Sequence, residues 1–386
     1  MGSVIRREYA ETVAPQVLRM IRLAARSVIA AAIVASSTAN ADEPIVISRE
    51  LCNGIWFVPM TWTGDSGRQH ELTAIFDTGG SSLLIDPEAL ERASGRRVAA
   101  GRSVNMTGEI AASGLTFTAF RPRVEEMDHL GAAIGRDFDV FLPFRAFRGK
   151  LLVLDYPARE IRVEAGALPE PDGKTVFSSS GRDTRPWLRV NLAGKTRRIL
   201  IDSGSNGRIA LRRLYGGLQW RDQPLPLFWS ATMDGEDHRV AGRVTETVRI
   251  ANVDFAQPLV SITDDTELMG VHVLKHFVLT FDPSNQRVRF EPATDGPVRM
   301  APYRGTGAVF RAARGGDWQV VRVLPGTPAA AAGLDRGDRI VERDGRPIAE
   351  PRCKPLDPAP APTREYGVWR DDDVERIELE VVDLVD

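Results

Sequence analysis

The sequence predicts a mainly β protein with two homologous lobes followed by a smaller α/β domain. Two short segments with the same chemistry indicate the duplication, residues 74–79 (AIFDTG) and 199–204 (ILIDSG). Each runs from three apolar residues, typical of a buried strand, into an aspartate, a hydroxyl residue and a glycine. Alone, such a segment is typical of an Asx turn that closes a strand. Two copies, whose aspartates are 125 residues apart (202 − 77), indicate repeated structure.

Other landmarks recur at nearly the same distance. Residues 152–163 (LVLDYPAREIRV) have a counterpart at 279–290 (LTFDPSNQRVRF), offset by 127 residues (282 − 155). Upstream of each aspartate, a strand leads into a short turn that contains glycine, so we expect each unit to open with a hairpin. These repeats place lobe 1 at residues 42–170 and lobe 2 at residues 171–295.

The two segments resemble the active-site motifs of the pepsin-like and retropepsin-like aspartic proteases, in which each lobe supplies one Asp-Thr/Ser-Gly. The resemblance covers residues 45–292. It implies that Asp77 and Asp202 meet at the lobe interface as the catalytic pair of an endopeptidase. Carboxylates about 3 Å apart cannot both ionise, so such a pair shares a proton. One member then acts as general base on a water molecule while the other polarises the peptide carbonyl.

The residues that follow the aspartates are implied to support the active-site loops. The resemblance makes Thr78 and Ser203 the hydroxyls that cross-brace the two loops. Gly79 and Gly204 stand where the backbone must pass close to the carboxylates, which a side chain would obstruct. Ser205 completes this supporting set.

Lobe 1 departs from the family pattern at two places. Gly80 stands where lobe 2 has Ser205, and residues 141–143 (FLP) stand where lobe 2 has an apolar pair followed by glycine, residues 268–270 (LMG). Proline in this position is not the family pattern, so the departures fall in lobe 1 and not in lobe 2.

A flap that closes the cleft is expected from a hairpin in each lobe. The candidates lie about 30 residues after each aspartate, around Thr107 and Gly108 in lobe 1 and around Asp234 and Gly235 in lobe 2. Neither carries the tyrosine that pepsin-like flaps use.

Composition and charge restrict the class of protein. The chain has 386 residues, of which 43% are hydrophobic and 26% charged, as in ordinary soluble proteins of two or three domains. A formal net charge of −2 and scattered arginines provide no electrostatic footprint for nucleic acid. With the resemblance, this favours a peptide or protein substrate, and we expect no nucleic-acid partner and no cofactor.

The N-terminal residues have the pattern of an export signal. Three arginines within residues 19–26 precede the apolar run 28–35, and residues 39–41 (ANA) have the small-x-small form of a cleavage site. The apolar run is shorter than the ~20 residues that span a bilayer. We therefore predict a signal peptide at residues 1–41, with Met20 as an alternative start, and a periplasmic or secreted protein without a stable membrane anchor. The competing interpretation is a buried alanine-rich helix.

The two cysteines are predicted to be unpaired. Cys52 and Cys353 fall in different predicted domains, so a disulfide would have to bridge a contact between domains. Two buried free thiols are the preferred interpretation, and an exported protein without disulfides is most easily placed in a bacterial periplasm.

The last part of the chain resembles a bacterial PDZ domain. Residues 292–303 lack apolar periodicity and indicate a linker. Residues 320–345 then read as a β-branched strand, a Pro-Gly turn, a short alanine helix ended by glycine, and a Gly-Asp turn into another strand. The resemblance assigns residues 296–386 to a PDZ domain that adds the C-terminus of a peptide ligand to a sheet edge. The candidate carboxylate-binding loop consists of Gly305, Thr306, Gly307 and Ala308.

The same resemblance places a second helix where residues 355–363 are rich in proline, so an altered groove is expected there.

Three other patterns are weighed and set aside. Residues 64–67 (GDSG) resemble the nucleophile motif of chymotrypsin-like serine proteases, but His70 is the first histidine of the chain, so the order His, Asp, Ser is impossible and a hairpin turn is expected. His272 and His276 have the spacing of a zinc-binding helix, yet no glutamate follows His272 and no third ligand is evident, so no metal is predicted. The acidic run 371–373 is interpreted as a solvated turn.

These observations predict an exported, single-chain aspartic endopeptidase whose PDZ domain recruits substrate or partner C-termini. Two alternatives stay open at this point. In the first, the lobe pair is a catalytically weak scaffold and the PDZ domain is the working binding module. In the second, lobe 1 pairs with lobe 1 of another copy in the retroviral manner, which would leave Asp202 structural.

Overall fold

The computed structural model describes residues 43–386 apart from residues 65, 182, 233–234, 313–315, 350–352, 354 and 356–358. The predicted signal peptide therefore lies outside the described residues. The described chain is mainly β with a few short helices, which confirms the predicted fold class at that level. Among the helices that it contains, none is long and apolar enough to cross a membrane.

The first half of the described chain is built around a large sheet that carries the first aspartate motif. The strands are β1 (Ile45–Ser48), β2 (Glu50–Cys52), β3 (Ile55–Thr63), β4 (Gln69–Asp77), β5 (Leu84–Ile85), β6 (Met106–Ala112), β7 (Leu115–Phe120), β8 (Arg123–Val124), β9 (Val140–Pro143), β10 (Leu151–Asp155) and β11 (Glu160–Glu164). The helices are α1 (Pro87–Ser94), α2 (Asp128–Ile134) and a 3₁₀-helix (Phe144–Phe147). The sheet has the order β7-β6-β3-β4-β9-β5-β8, and β2 pairs with β3.

Local sequence accounts for these elements. The β3–β4 hairpin is rich in aromatic and β-branched residues, and its turn closes with Gly67 at φ +76° donating to the main-chain oxygen of Gly64 at 2.9 Å. The GDSG segment is thus a hairpin turn, as predicted. Helix α1 begins at Asp86, whose side chain caps it, and ends at Gly95 in the left-handed conformation.

The second half repeats this arrangement. Its strands are β12 (Val176–Ser178), β13 (Trp187–Leu192), β14 (Lys195–Ile201), β15 (Ile209–Leu211), β16 (Leu225–Thr232), β17 (Gly235–Arg243), β18 (Val248–Ile250), β19 (Val253–Phe255), β20 (Leu259–Ile262), β21 (Leu268–Met269), β22 (Phe277–Asp282) and β23 (Arg287–Pro292), with helix α3 (Val271–Leu274). The sheet has the order β13-β14-β21-β15-β20-β17-β16.

Equivalent strands carry the two aspartates. In both halves a hairpin, β3–β4 or β13–β14, leads into the motif, and a later strand, β9 or β21, pairs parallel to the motif strand. The register is also the same, because Phe57 and Trp187 each face the residue two positions before the aspartate, Ile75 and Leu200 respectively. This register defines which residues of the two halves are equivalent.

The repeated segments around Asp155 and Asp282 join the two halves. They form the hairpins β10–β11 and β22–β23, which lie in one sheet of order β1-β11-β10-β22-β23-β12. Strands β10 and β22 pair antiparallel at its centre. A single hydrophobic core extends through both halves and includes Phe76 and Phe281. The two halves are therefore held together by main-chain pairing as well as by packing.

The third part of the chain has its own sheet. Its strands are β24 (Tyr303–Gly305), β25 (Ala308–Ala312), β26 (Trp318–Val323), β27 (Arg339–Arg343), β28 (Arg346–Pro347), β29 (Thr363–Arg370), β30 (Asp373–Glu380) and β31 (Val382–Val385), with helix α4 (Pro328–Ala331). The main sheet has the order β25-β26-β27-β29-β30. The strand, turn and short helix expected from the sequence occur in that order, and the described residues between β28 and β29 contain no helix.

The structure contradicts two expectations about the boundaries between the predicted domains. Cys52 and Cys353 form a disulfide, with their Cα atoms 4.6 Å apart, so the predicted domains do make the contact that such a bond requires. Residues 292–303 are not a free linker, since Val298 and Met300 are buried in the core of the first two parts. Val298 also exchanges main-chain hydrogen bonds with the loop around Phe255.

Candidate active site

The fold brings the two sequence-predicted aspartates together. Asp77 is the last residue of β4 and Asp202 follows β14 directly, and both strands lie between neighbours in their sheets. A parallel strand runs beside each motif, so that Asp77 faces Pro143 of β9 and the Asp202 amide donates to the oxygen of Met269 at 3.0 Å. Pro143 therefore occupies a regular strand position beside the motif.

The hydroxyl residues Thr78 and Ser203 brace the two loops against each other. The amide of Thr78 donates to Oγ of Ser203 at 3.0 Å, and the amide of Ser203 donates to Oγ1 of Thr78 at 2.9 Å. Each hydroxyl also donates to the opposite strand, Thr78 to the oxygen of Ile201 at 2.7 Å and Ser203 to that of Phe76 at 3.5 Å. Because both side chains are fully buried, each hydroxyl must accept one bond and donate another, which suits Ser and Thr.

The glycines of the motifs are required by the opposite aspartate. A Cβ atom on Gly79 would lie 2.6 Å from Cγ of Asp202, and one on Gly204 would lie 2.3 Å from Cγ of Asp77. The amide of Gly204 donates to both carboxylates at 3.0 Å, and that of Gly79 donates to Asp77 at 2.5 Å. The lack of side chains lets the backbone amides reach the carboxylates.

The two carboxyl groups titrate as a pair. Burial raises the pKa of Asp77 well above its ordinary value. The charge of Asp202 and the hydrogen bond between the two aspartates raise the Asp77 pKa further, while hydrogen bonds from the amides of Gly79 and Gly204 lower it. Burial also raises the pKa of Asp202, while the hydrogen bond with Asp77, the amides of the following loop and the charge of Arg185 lower it. The pKa of both groups is raised overall, and more strongly for Asp77, so sharing of a single proton with Asp77 as its preferred site is favoured.

The departures of the first half have a packing reason. A Cβ on Gly80 would lie 2.4 Å from the ring of Phe141, so this ring fills the space that a side chain at position 80 would need. In the second half, Ser205 accepts from the amide of Gly207 at 3.2 Å, and its main-chain oxygen accepts from Val271 at 2.8 Å. A Cβ on Gly270 would lie 2.6 Å from that oxygen. Each half thus closes its loop by a different contact.

The lobe 1 flap candidate belongs to the β6–β7 hairpin but does not lie at its turn. Thr107 and Gly108 lie inside β6, and the β6–β7 hairpin turns at Ser113 and Gly114, both at positive φ. Gly108, at φ +96°, marks an irregularity in the strand where a Cβ would lie 2.0 Å from the oxygen of Thr63. Gly108 therefore allows β6 to approach the backbone of β3 closely and does not form the turn of the hairpin.

The lobe 2 candidate lies in a hairpin. Gly235 begins β17 and pairs with Thr232 of β16. Asp234 lies outside the described residues. The β16–β17 hairpin is attached to β20, whereas β6–β7 is attached to β3, so the two hairpins are joined to different strands of their sheets.

The predicted carboxylate loop joins β24 to β25. Gly307 has φ +93°, and a Cβ there would lie 1.9 Å from Oγ1 of Thr327, so the loop packs on the turn that opens α4. Thr306 is buried and its oxygen accepts from the amide of Ala329 at 2.9 Å. Ala308 begins β25, which is an edge of the sheet among the described strands. Cα atoms of β16 and α2 lie within 8 Å of those of this strand.

Sequence reasoning missed two side chains near the aspartates. Arg185 donates from Nη1 to the oxygen of Gly79 at 3.2 Å, which joins the start of the second half to the first motif. Tyr156 is buried, which raises its pKa, and the charges of both aspartates raise it further. A hydrogen bond with Trp56, whose ring centre lies 5.3 Å from that of Tyr156, lowers this pKa. Comparison of the two halves in register was the signal that would have identified Arg185.

The other sequence candidates lie apart from this site. Helix α3 ends at Leu274, so His272 and His276 do not share one helix, and the ring of His276 packs on Phe255. Within the described part of the chain, no group of three or more His, Cys, Asp or Glu residues is placed to hold a metal ion. Residues 371–373 lie at the β29–β30 turn and are exposed, as expected.

A pair of carboxyl groups, held by reciprocal bonds between two similar halves, is thus the chemically distinctive feature of the described chain. No protein-family model matches the chain, and no curated protein matches it.

Proposed function

We propose that the protein is an aspartic endopeptidase in which Asp77 and Asp202 activate a water molecule to hydrolyse peptide bonds. The observation that carries this proposal is the cross-brace between Thr78 and Ser203, which holds one aspartate from each half against the other. Burial and mutual charge favour a single proton on the pair. A pair in this state contains both a general base and a general acid.

The reaction follows from this protonation state. Asp202 takes a proton from water as the water oxygen bonds to the carbonyl carbon, and Asp77 gives its proton to the carbonyl oxygen. In the resulting tetrahedral diol, Asp77 takes back a hydroxyl proton while Asp202 protonates the amide nitrogen. The C–N bond then breaks to yield a carboxylic acid and an amine, and the pair regains its starting state. Acid–base assistance of this kind contributes about 10²–10⁴-fold.

The internal cross-brace favours a single-chain site. In the alternative with paired first lobes, the amide of Thr78 would bond to a Thr78 hydroxyl of another copy. Here Ser203 of the same chain supplies that hydroxyl. Asp202 is half-buried and lies beside Asp77, and its charge raises the pKa of that residue. These contacts support a catalytic role for Asp202 in place of a structural one.

We also propose that the third part is a PDZ-like module that binds extended peptide termini. Strand β25 offers an edge, and the loop with Gly307 leads directly into it. Strand addition at such an edge uses main-chain hydrogen bonds and so suits unfolded or terminal segments. If the carboxyl pair were inactive, this edge would be the working part of the molecule, which is the alternative function.

Export to the periplasm or to the medium is part of the proposal. The disulfide between Cys52 and Cys353 supports it, because disulfides persist mainly in oxidising compartments.

The decisive experiment measures cleavage of an unstructured protein by the wild type, Asp77→Asn and Asp202→Asn from about pH 3 to about pH 8. Asp264→Asn, which changes an exposed aspartate, is the matched control. We expect both active-site variants to lose activity by about 10³-fold or more, with the control unchanged. Survival of Asp202→Asn would indicate dimers of the first lobe. Absence of cleavage by the wild type at every pH would overturn the proposal.

A further inference from the structure

We propose that Arg185 is a positioning residue that makes the two aspartates unequal, so that Asp202 serves as the base and Asp77 as the acid. This inference rests on the proposed peptidase function. Two similar halves would otherwise present two equivalent carboxyl groups, and nothing in the paired motifs would decide between them. A cation on one side of the pair breaks that equivalence.

The Arg185 side chain is held rigidly beside the pair. Its Nε and Nη2 donate to Oδ2 of Asp183 at 3.0 and 2.7 Å, and its Nη1 donates to the oxygen of Gly79 at 3.2 Å. The guanidinium lies 5.3 Å from the ring centre of Trp187, and Nε1 of that indole donates to Oδ1 of Asp183 at 3.0 Å. One edge of the guanidinium is thus fixed by its own half, and Nη1 reaches the catalytic loop of the other half.

The first half has no equivalent cation. Phe57 and Trp187 occupy the same register relative to their aspartates, so the residue equivalent to Arg185 is two positions before Phe57. That residue is Ile55, which is buried in the core. The duplication therefore preserved the carboxylates, hydroxyls and glycines of the site but placed an aliphatic side chain on one side and a guanidinium on the other.

Four other titratable groups bear on this cation. Asp183 binds its Nε/Nη2 edge, and although burial raises the pKa of Asp183, the bonds from Arg185 and Trp187 lower it overall, so this carboxylate stays ionised. Asp202 lies against Gly79, and the charges of Asp202 and Asp77 act on the buried Tyr156. The Asp183 charge partly compensates that of Arg185, but it acts from the edge that faces away from the Gly79 contact.

The effect of Arg185 differs between the two aspartates. Burial raises the pKa of Asp202, whereas the positive charge of Arg185 lowers it and so favours the ionised form. The influences on Asp77 are burial, Asp202 and the amides of Gly79 and Gly204. A cation that stabilises ionised Asp202 keeps the base available at lower pH. Removing it moves the acid limb of the pH profile to higher pH and affects the alkaline limb less.

The test compares the pH dependence of kcat/KM for the wild type, Arg185→Gln, Arg185→Lys and Arg185→Met. Arg189→Gln is the matched control, since Arg189 is exposed on β13 of the same half. We expect the acid limb of Arg185→Gln and Arg185→Met to move up by about one pH unit. Arg185→Lys, which keeps the charge, should retain most of the wild-type profile, and the control should coincide with the wild type. Arg185→Met retains the aliphatic stem, so it serves if the glutamine variant does not fold.

A second measurement requires no turnover. The side-chain carboxyl carbons of ¹³C-labelled aspartate are titrated by NMR in the same variants, with Asp202→Asn to assign the signal. The Asp202 carboxyl should titrate at higher pH in Arg185→Gln. If the wild type cleaves nothing but this shift is observed, the peptidase function fails and the inference about Asp202 stands. An unchanged Asp202 titration in the charge-free variants, or an equal shift in the Arg189 control, would overturn the inference.

Discussion

Thr78 and Ser203 exchange main-chain-to-hydroxyl hydrogen bonds of 3.0 and 2.9 Å across the boundary between the two halves. Both side chains are completely buried. The geometry of the carboxyl pair therefore depends on two residues that carry no charge. The loops can be aligned only when both halves are folded and in contact, because each hydroxyl is the partner of the opposite backbone.

Replacing Thr78 by valine should destabilise the protein. Valine has nearly the same shape but leaves the amide of Ser203 and the oxygen of Ile201 without their partners in a buried site. An unsatisfied buried polar group costs about 1–3 kcal/mol, so we expect a loss of that order in urea denaturation, together with a loss of cleavage. Thr247→Val, at an exposed position, is the control. Equal stability of the two variants would contradict the assigned role.

Replacing Gly204 by alanine should disable the site. The added Cβ would lie 2.3 Å from Cγ of Asp77, so one loop must move. Overpacking of this kind costs about 1–3 kcal/mol, and the displaced carboxylate should lower kcat/KM by about 10²-fold or more. Gly64→Ala, where a Cβ meets nothing within 4 Å, should leave both quantities unchanged. An active Gly204→Ala enzyme would show that the carboxylates are not positioned by this contact.

The buried carboxyl group of Asp77 should reduce stability at neutral pH. The pKa of Asp77 is raised above its ordinary value of 3.8 in the folded state, so folding favours the protonated form. The contribution to stability is full below pH 3.8 and falls as pH rises through the folded pKa. Asp77→Asn should therefore raise the free energy of unfolding at pH 7, and this gain should disappear in acid. A gain that is independent of pH would contradict the raised pKa, and Asp264→Asn provides the reference.

Removing the disulfide should weaken the attachment of the third part. Cys52 and Cys353 are 301 residues apart in sequence, so the bond closes a very long loop, and loss of a native disulfide typically costs about 2–5 kcal/mol. We expect Cys353→Ser to lower the thermal midpoint, and reduction of the wild type to lower it by a similar amount. Alkylation of the unreduced, denatured protein should label no thiol. Two labelled cysteines would restore the interpretation of free thiols.

Patterns that involve neighbouring residues were predictable. The β3–β4 and β13–β14 hairpins follow from alternating apolar residues and glycine-containing turns, and helix α1 has its N-cap and C-cap in the sequence. The bulge at Gly108 was not predictable, because a glycine at positive φ occurs both in turns and at bulges within strands. The choice between them depends on Thr63 of another strand, whose oxygen lies where a Cβ would be.

The sequence by itself determined the mainly β class and the duplicated motifs, and through them the hypothesis that Asp77 and Asp202 act together. Those signals are local or repeat at a constant interval, so periodicity reveals them. Only the tertiary structure decided that Cys52 bonds to Cys353, that the two repeated hairpins share one sheet, and that Arg185 reaches Gly79. These contacts join residues far apart in the chain, and burial patterns say which face of a strand is covered but not which distant segment covers it.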